Sequence, residues 1–394
     1  MTIPVEELKA LMPFATKSQA RIAVARIEGK TWAWITENLG VDGGNARQTL
    51  QSMKRRAVNQ GFSPEHDMTH VVPDGFRVKG VSTYYDADGN PRAQWVKSQT
   101  DQARQIEILL DRIESGANGH KRFKPTAAPK RADDELLSLL TITDFHLGMY
   151  AWEVETGDAW DIEIARNVFL NAVHAMVEAS PNSRIGFLNQ LGDMLHWDGM
   201  LAVTPASGHV LDADTRYGKL VDLTMQIMTE AVRLMLKKFS EVRVIQAEGN
   251  HDPAGSVWMR KFMKHVFANE PRVTVDDSEF PYYAYLHGET MLGFHHGHKS
   301  KMLSLPKLFA AEPRFRAMWG TAKQTYIHTG HLHHERVLED GGAIVEQHPT
   351  LAGRDSYTVR GGWVSKRGAK LITYDKTLGE VQRITVRPSS ALVQ

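Results

Sequence analysis

The chain predicts an α/β fold, a mixed sheet with its strands joined by helices, behind a mainly helical N-terminal domain. Three observations carry that prediction. From residue 134 to about 270, short β-rich apolar runs alternate with amphipathic stretches at helical spacing. Beyond 270 the pattern turns mostly β. Residues 17–60, by contrast, place their apolar side chains at helical spacing. The 394 residues, 42% hydrophobic and 24% charged, suffice for two or three domains with a sizeable core and exclude wholesale disorder.

Taken in order, Ile22, Val24 and Ile27, then Trp32, Trp34, Ile35 and Leu39, form the first apolar set. Gly40, Gly43 and Gly44 interrupt it before Ala46, Leu50, Met53 and Ala57, spaced i, i+4, i+7, i+11 on a further helix. Val78, Val81 and Tyr84 lead into Asp88-Gly89-Asn90-Pro91, and Trp95 and Val96 return, which predicts a hairpin over 76–97. A helix is expected over about 99–114, and the aperiodic, basic, Pro- and Ala-rich stretch 116–133 reads as a linker. Leu136–Ile142, Arg184–Leu191 and Val242–Ala247 are strands by composition, joined by helices over about 161–179 and 216–239. Further β runs fall near 282–287, 290–295, 325–328, 342–347 and 368–374. The expected domains are a helix-turn-helix-like 1–62, a hairpin-plus-helix connector 63–115, the linker 116–133, and the α/β domain 134–394.

Without any cysteine, disulfides, thiolate metal sites and cysteine nucleophiles are all excluded. The opening MTIPVEELKALMPF has no basic segment followed by an apolar one, and no later stretch is expected to span a bilayer, so a cytoplasmic protein without a membrane partner is expected. Net charge is +1, unevenly divided. Residues 1–134 carry 20 Lys+Arg against 16 Asp+Glu, and the rest 27 against 30. A carboxylate-bearing metal core behind a more basic accessory region has this pattern.

Polar clusters follow the strands: Asp144-Phe145-His146, Gly192-Asp193-Met194-Leu195-His196, Gly249-Asn250-His251-Asp252, His295-His296-Gly297-His298 and Gly330-His331-Leu332-His333. In open α/β sheets, ligand sites form beyond the carboxyl ends of strands, so these clusters can converge. The neighbouring glycines permit sharp turns and close backbone approach. Two aspartates, an asparagine and at least four histidines, with no sulfur, suit Mn, Fe, Zn or Ni. They are too many for one ion. Two divalent ions sharing a carboxylate, ~3.5–4 Å apart, would use them all and activate hydroxide at neutral pH.

The five blocks, in this order, resemble the calcineurin-like metallophosphoesterase superfamily over residues 134–375, and the GD-x-x-H form of the second resembles the Mre11/SbcD-type nucleases within it. The resemblance implies a dinuclear phosphoesterase with the superfamily's βαβ sandwich, its metals most readily Mn2+. It assigns Asp144, His146 and His333 to one metal, Asn250, His296 and His331 to the other, and Asp193 to the bridge. It makes His251 the group that protonates or positions the leaving oxygen, oriented by Asp252. His296, before the glycine, competes with His295 and His298. His196 is a candidate substrate contact, and so is Arg354, although a solvated β-surface is the plainer reading of Arg354 and Arg360. Asp198 and His334 read as surface residues.

On the helix after Gly44, Arg47, Gln51, Lys54 and Arg55 share the face opposite Leu50 and Met53, as phosphate and base-edge contacts require. An ordinary charged face on a small docking module has the same pattern, and the hairpin reads as a wing or a plain β extension. The leading expectation is a metal-dependent phosphodiesterase acting on nucleic acid. The combination resembles DNA-handling phosphoesterases of phages and prophages. The competing reading is a small-molecule or cyclic-nucleotide phosphoesterase whose N-terminal domain serves homo-oligomerisation or docking. A third is a DNA-binding or assembly protein, against which the intact ligand set argues.

Overall fold

Caps set the limits of the N-terminal helices. The structure is a computed structural model that describes residues 3–68, 70–73, 76–101, 104, 107, 108 and 123–388, and the chain divides into two units, Met1–Leu110 and Asp111–Gln394. In the first, α1 spans Val5–Leu11. Thr16 and Gln19 form a reciprocal capping box that starts α2, Lys17–Ile27. Thr31 caps α3, Trp32–Leu39, which ends on Gly40 in the left-handed region at φ 69°. Asp42 then accepts the Gly44 amide at 2.8 Å and starts α4, Gly43–Asn59. The apolar set of residues 22–39 is thus divided between α2 and α3, and all of it but Val24, which is exposed, closes one cluster with Ala46, Leu50, Met53 and Ala57 of α4.

Strands β1, Phe76–Tyr85, and β2, Pro91–Thr100, pair antiparallel around an Asp86–Asn90 turn whose Asp86 carboxylate accepts the amides of Asp88 and Asn90. Of the helix expected over 99–114, the first two positions instead close β2, Arg104, Glu107 and Ile108 are helical, and most of the rest lies outside the described residues. Residues 116–122 of the expected linker also lie outside them. Its later part is anchored to the second unit: the Phe123 ring lies 5.4 Å from that of Phe267, and Thr126 donates through its amide to Glu270 at 2.9 Å.

The second unit is a mixed α/β sandwich. Strands β3 (Asp133–Ile142), β4 (Ser183–Gln190), β5 (Glu241–Gln246) and β6 (Val273–Val275) run parallel. Later in the chain come β7 (Tyr283–His287), β8 (Thr290–Phe294), β9 (Gln324–Thr329), β10 (Arg336–Asp340), β11 (Ala343–Gln347), β12 (Ala369–Asp375) and β13 (Gly379–Val386). β12 and β13 complete the first sheet antiparallel, in the order β13-β12-β3-β4-β5-β6. The second sheet has the order β10-β11-β9-β8-β7, with β8, β9 and β11 parallel. Alternate residues of each sheet meet in one core, where Leu137, Leu139, Phe187 and Ile372 pack on Leu292, Phe294 and Tyr326.

Helices cover the outside. α6 (Ile162–Ala179), after a single turn α5 (Glu153–Thr156), and α7 (Tyr217–Leu236) are amphipathic, and α7 buries fourteen of its twenty residues. Pro253 opens α8, Pro253–Val266. The short α9 (Leu305–Ala311) and α10 (Arg316–Thr321) bring Leu305 and Phe309 onto Met291, Ile327 and Val345 of the second sheet. Gly186 has to be glycine, because any Cβ there would collide with the Phe239 ring. No helix among the described residues is long and apolar enough to cross a membrane.

Candidate metal centre

Five strands, β3, β4, β5, β8 and β9, deliver their following loops to one place, and each loop carries one of the five polar blocks. The backbone there is unusual. Among described non-glycine residues, positive φ occurs at Asp144 (50°), His146 (49°), Asp193 (50°), His331 (75°), His333 (57°) and, elsewhere, Asp67. Five of these six are candidate ligands. The left-handed region costs about 1–2 kcal/mol for a side chain other than glycine, and such strain persists only where surrounding bonds enforce it. Here the Asp144 and Phe145 amides donate to the carbonyls of Gly192 and Asp193, and the His331 amide donates to the Asp144 carboxylate at 2.9 Å. Thr143 donates its hydroxyl to Asp144 Oδ2, and Thr350 donates to the Asp144 carbonyl.

Two ligand groups result. Asp144, His146 and His333 bring their donor atoms within 4.8 Å of one another, as do Asp193, His296 and His331. They abut through His296, whose Nε2 lies 3.2 Å from Asp193 Oδ2 and 3.8 Å from Asp144 Oδ1. His146 Nε2 faces His333 Nε2 at 3.2 Å. The Asn250 Oδ1 and His296 Nε2 atoms are buried and have no hydrogen-bond partner. Buried polar atoms are rarely left so, and oxygen and imidazole atoms converging in this way fit divalent ions. Close approach depends on glycine: a Cβ on Gly249 would collide with the Asp193 carboxylate, and one on Gly192 with the His296 ring.

Electrostatics reinforce this geometry. Burial works to raise both aspartates, but His296 with His333 for Asp144, and His296 with His251 for Asp193, hold both carboxyls well below the usual range. His296 is pushed up to about 10, because Asp193 and Asp144 outweigh its burial. A divalent ion held here would take the place of that proton. Burial, then the charges of His251, His333 and His196, keep His146 well below its ordinary value.

The competition among the three neighbouring histidines resolves toward His296. The His295 ring stacks 4.3 Å from Tyr282 with its Nδ1 against the Pro281 carbonyl. The His298 ring lies 5.3 Å from that of His296. His196 is 2% exposed, its Nδ1 lying 3.3 Å from His146 Nδ1. It belongs to a third close group, with His146 and His251.

Asp252 needs a correction. It does not orient the His251 ring, because its carboxylate accepts the amides of Asp193, Gly249 and Leu195 at 3.0–3.2 Å. It therefore pins the second and third blocks together, while the His251 Nδ1 lies 2.7 Å from the His196 carbonyl. Burial, then the Asp193 charge, pushes Asp252 up to about 8. Asp198, read as a surface residue, accepts the amides of Ala254 and Gly255 at the start of α8. Arg354 is drawn to Asp158 at 3.4 Å and Arg360 to Glu155 at 2.8 Å.

Sequence spacing missed Asp355, whose carboxylate acts on the His196 and His333 rings. It also missed a buried cluster of His328, Glu346 and His348, three groups close enough to hold an ion. There His328 Nδ1 lies 2.8 Å from His348 Nε2, and Arg383 already supplies the cation for Glu346 at 2.6 Å. Neither belongs to a motif block. In the N-terminal unit, Arg47 and Arg26 stack over the Trp32 ring, Lys54 pairs with Glu7 at 2.8 Å, and Arg55 is exposed.

No family model matches the chain, and no curated protein matches it. Among solved structures, an archaeal phosphodiesterase is similar at 11% identity, covering 63% of this chain and 99% of its own, with a TM-score of 0.32. The phosphoesterase Yfce of E. coli matches at 14% identity over 64% of this chain and all of its own, with a TM-score of 0.28. A predicted phosphoesterase of Streptococcus pneumoniae matches at 13% over 64% of this chain and 90% of its own, TM-score 0.27.

Proposed function

We propose that the second unit is a two-metal phosphodiesterase of the calcineurin-like metallophosphoesterase type, and that it acts on nucleic acid. The observation that carries this reading is the pair of abutting groups, with His296 Nε2 buried between the two carboxylates and Asn250 Oδ1 buried without a hydrogen-bond partner. Asp144, His146 and His333 would hold one ion, and Asn250, His296 and His331 the other, with Asp193 between them. Mn2+ fits this donor set, as do Fe, Zn and Ni. Such a metal pair lowers the pKa of water and neutralises charge on phosphoryl oxygens.

The chain's own residues do the rest. The Asp144 and Asp193 carboxylates are ionised and fixed by backbone amides. His251 gives its Nδ1–H to the His196 carbonyl, which leaves Nε2 for the leaving oxygen; in the doubly protonated ring, the Nε2 proton would pass to that oxygen and leave the neutral Nδ1–H ring still bonded to the carbonyl. A separate N-terminal helical unit, with a basic α4, supports nucleic acid as the substrate.

The small-substrate reading has its own supporting observation: a cavity of about 260 Å³ lined by Tyr150, Trp152, Glu155, Asp212 and Ser356. One experiment separates the readings. Metal content is measured with Mn2+, and hydrolysis of single-stranded DNA, duplex DNA, cyclic nucleotides and a chromogenic diester is compared, for the native chain and Asp193→Asn. Two ions per chain, cleavage of DNA and the diester, and loss of both activities in a folded Asp193→Asn are expected. One ion per chain, or a variant with most of its turnover, overturns the two-metal assignment. Turnover of the small esters alone gives first place to the small-substrate reading.

A further inference from the structure

The hairpin differs in charge from the rest of the chain. Its two strands, Phe76–Tyr85 and Pro91–Thr100, contain Arg77, Lys79, Arg92 and Lys97 and no aspartate or glutamate. Register then divides the side chains. Ser82 stands opposite Trp95, Tyr84 opposite Ala93, and Gly80 opposite Lys97. Neighbours two apart share a face, so Tyr84, Trp95 and Lys97 lie together, with Tyr84 and Trp95 diagonal to one another.

The other face carries Val81, Thr83, Gln94 and Val96, all partly buried. It is tied down: Gln94 donates to the Asp67 carbonyl at 2.8 Å, and Tyr85, beside it, donates to the Asp67 carboxylate at 2.7 Å. The first face therefore looks outward. Tyr84 is 63% exposed and Trp95 60%, and Arg77, Lys79, Ser82 and Lys97 are exposed with them. A bulge between Val78 and Gly80 turns Lys79 out as the extra residue.

A surface of this kind is expensive to leave in water, and its chemistry selects what covers it. Two exposed aromatic rings offer stacking faces, and three cations flank them with no carboxylate on either strand. A polyanion with unpaired π-faces satisfies both features, whereas a duplex presents phosphates but keeps its bases stacked inside. We propose that the outward face of the β1–β2 ribbon is a binding platform for single-stranded nucleic acid, with Tyr84 and Trp95 stacking unpaired bases and Arg77, Lys79 and Lys97 following the backbone. This rests on the nucleic-acid reading above and moves the principal contact from α4 to the hairpin. On α4, Lys54 is engaged by Glu7 and Arg47 by Trp32.

The test measures binding of the full-length chain to labelled 20-nucleotide oligothymidylate and to a duplex of equal length, without metal so that no cleavage intervenes. Tyr84→Ala and Trp95→Ala are each expected to weaken single-strand binding about tenfold or more, and Trp95→Phe to retain most of it. Replacing Arg77, Lys79 and Lys97 together by Ala should flatten the slope of log K against log salt by roughly 2, at about 0.7 per single-strand phosphate contact. Chromogenic diester hydrolysis with Mn2+ stays unchanged in all of these variants, and circular dichroism with thermal melting, read against the native chain, reports that their N-terminal unit is still folded. Single-strand binding that is indifferent to both aromatics overturns the proposal, as does tighter binding of the duplex. A chain that binds neither DNA yet hydrolyses the diester removes the nucleic-acid reading itself, and a protein bound at this face in its place overturns the inference.

Discussion

At the scale of single residues, the proposed centre assigns holding and reacting to different groups. His251 sits between the two functions. Its amide donates to Asp193 at 2.8 Å, and its ring is aimed by the His196 carbonyl rather than by a carboxylate. His251→Ala keeps that amide, so both ions are expected to stay bound while kcat falls by about 10²–10⁴, the usual worth of a general acid. Elemental analysis beside steady-state kinetics checks this, and loss of an ion would make His251 a ligand. Five of the six positive-φ non-glycine residues among the described ones fall in the motif blocks, which the sequence showed as polar clusters following strands. The work of Asp252 was not legible, because two of the three amides that its carboxylate accepts, those of Asp193 and Leu195, come from a loop nearly sixty residues earlier, and only that of Gly249 lies in its own block.

At the scale of elements, strand composition located β3, β4, β5, β7, β8, β9, β11 and β12 closely. These strands are buried on one face or both, and apolar runs record that burial. β10 and β13 escaped because they are edge strands whose side chains alternate with solvent. The polar contacts between elements escaped for another reason: they pair residues far apart in the chain. His328 on β9 and His348 after β11 meet in the core, and His328 Nε2 lies 3.2 Å from the Tyr374 hydroxyl of β12. Burial, then the neighbouring ring or cations, lowers both histidines to about 3, so they stay neutral in the folded chain. The sign follows. Above about pH 6.5 neither state is protonated, whereas below it only the unfolded chain takes up protons, so stability falls with pH until the folded value is reached. Each histidine is expected to cost about 2 kcal/mol between pH 7 and pH 5. Denaturant titrations of the metal-free protein at these two pH values, with His348→Gln alongside, check it. The variant should lose less stability on acidification, and an equal loss would place the titrating groups elsewhere.

At the scale of the whole molecule, the metal centre and its sandwich lie within one unit, and the hairpin and helical cluster within the other. The sequence placed a boundary at the aperiodic stretch 116–133, with the basic excess before it, whereas the two units divide between Leu110 and Asp111. A chain beginning at residue 123, where Phe123 and Thr126 are anchored on the second unit, is expected to hydrolyse the chromogenic diester within a factor of about 3 of the full-length kcat, below the roughly tenfold change that 1.4 kcal/mol represents. It should lose its affinity for DNA. Assays of the two proteins side by side check this, and undiminished DNA binding by the shorter chain would assign the nucleic-acid contact to the second unit. The left-handed backbone at Asp144, His146, Asp193, His331 and His333 has a consequence for how such a lineage diverges. Glycine relieves that backbone and abolishes the ligand at once, asparagine tolerates it with only a weaker, neutral donor, and β-branched residues suit neither demand. Descendants freed from catalysis can therefore drift to glycine or asparagine at these five sites and keep the scaffold, so that loss of activity leaves the architecture intact for other uses.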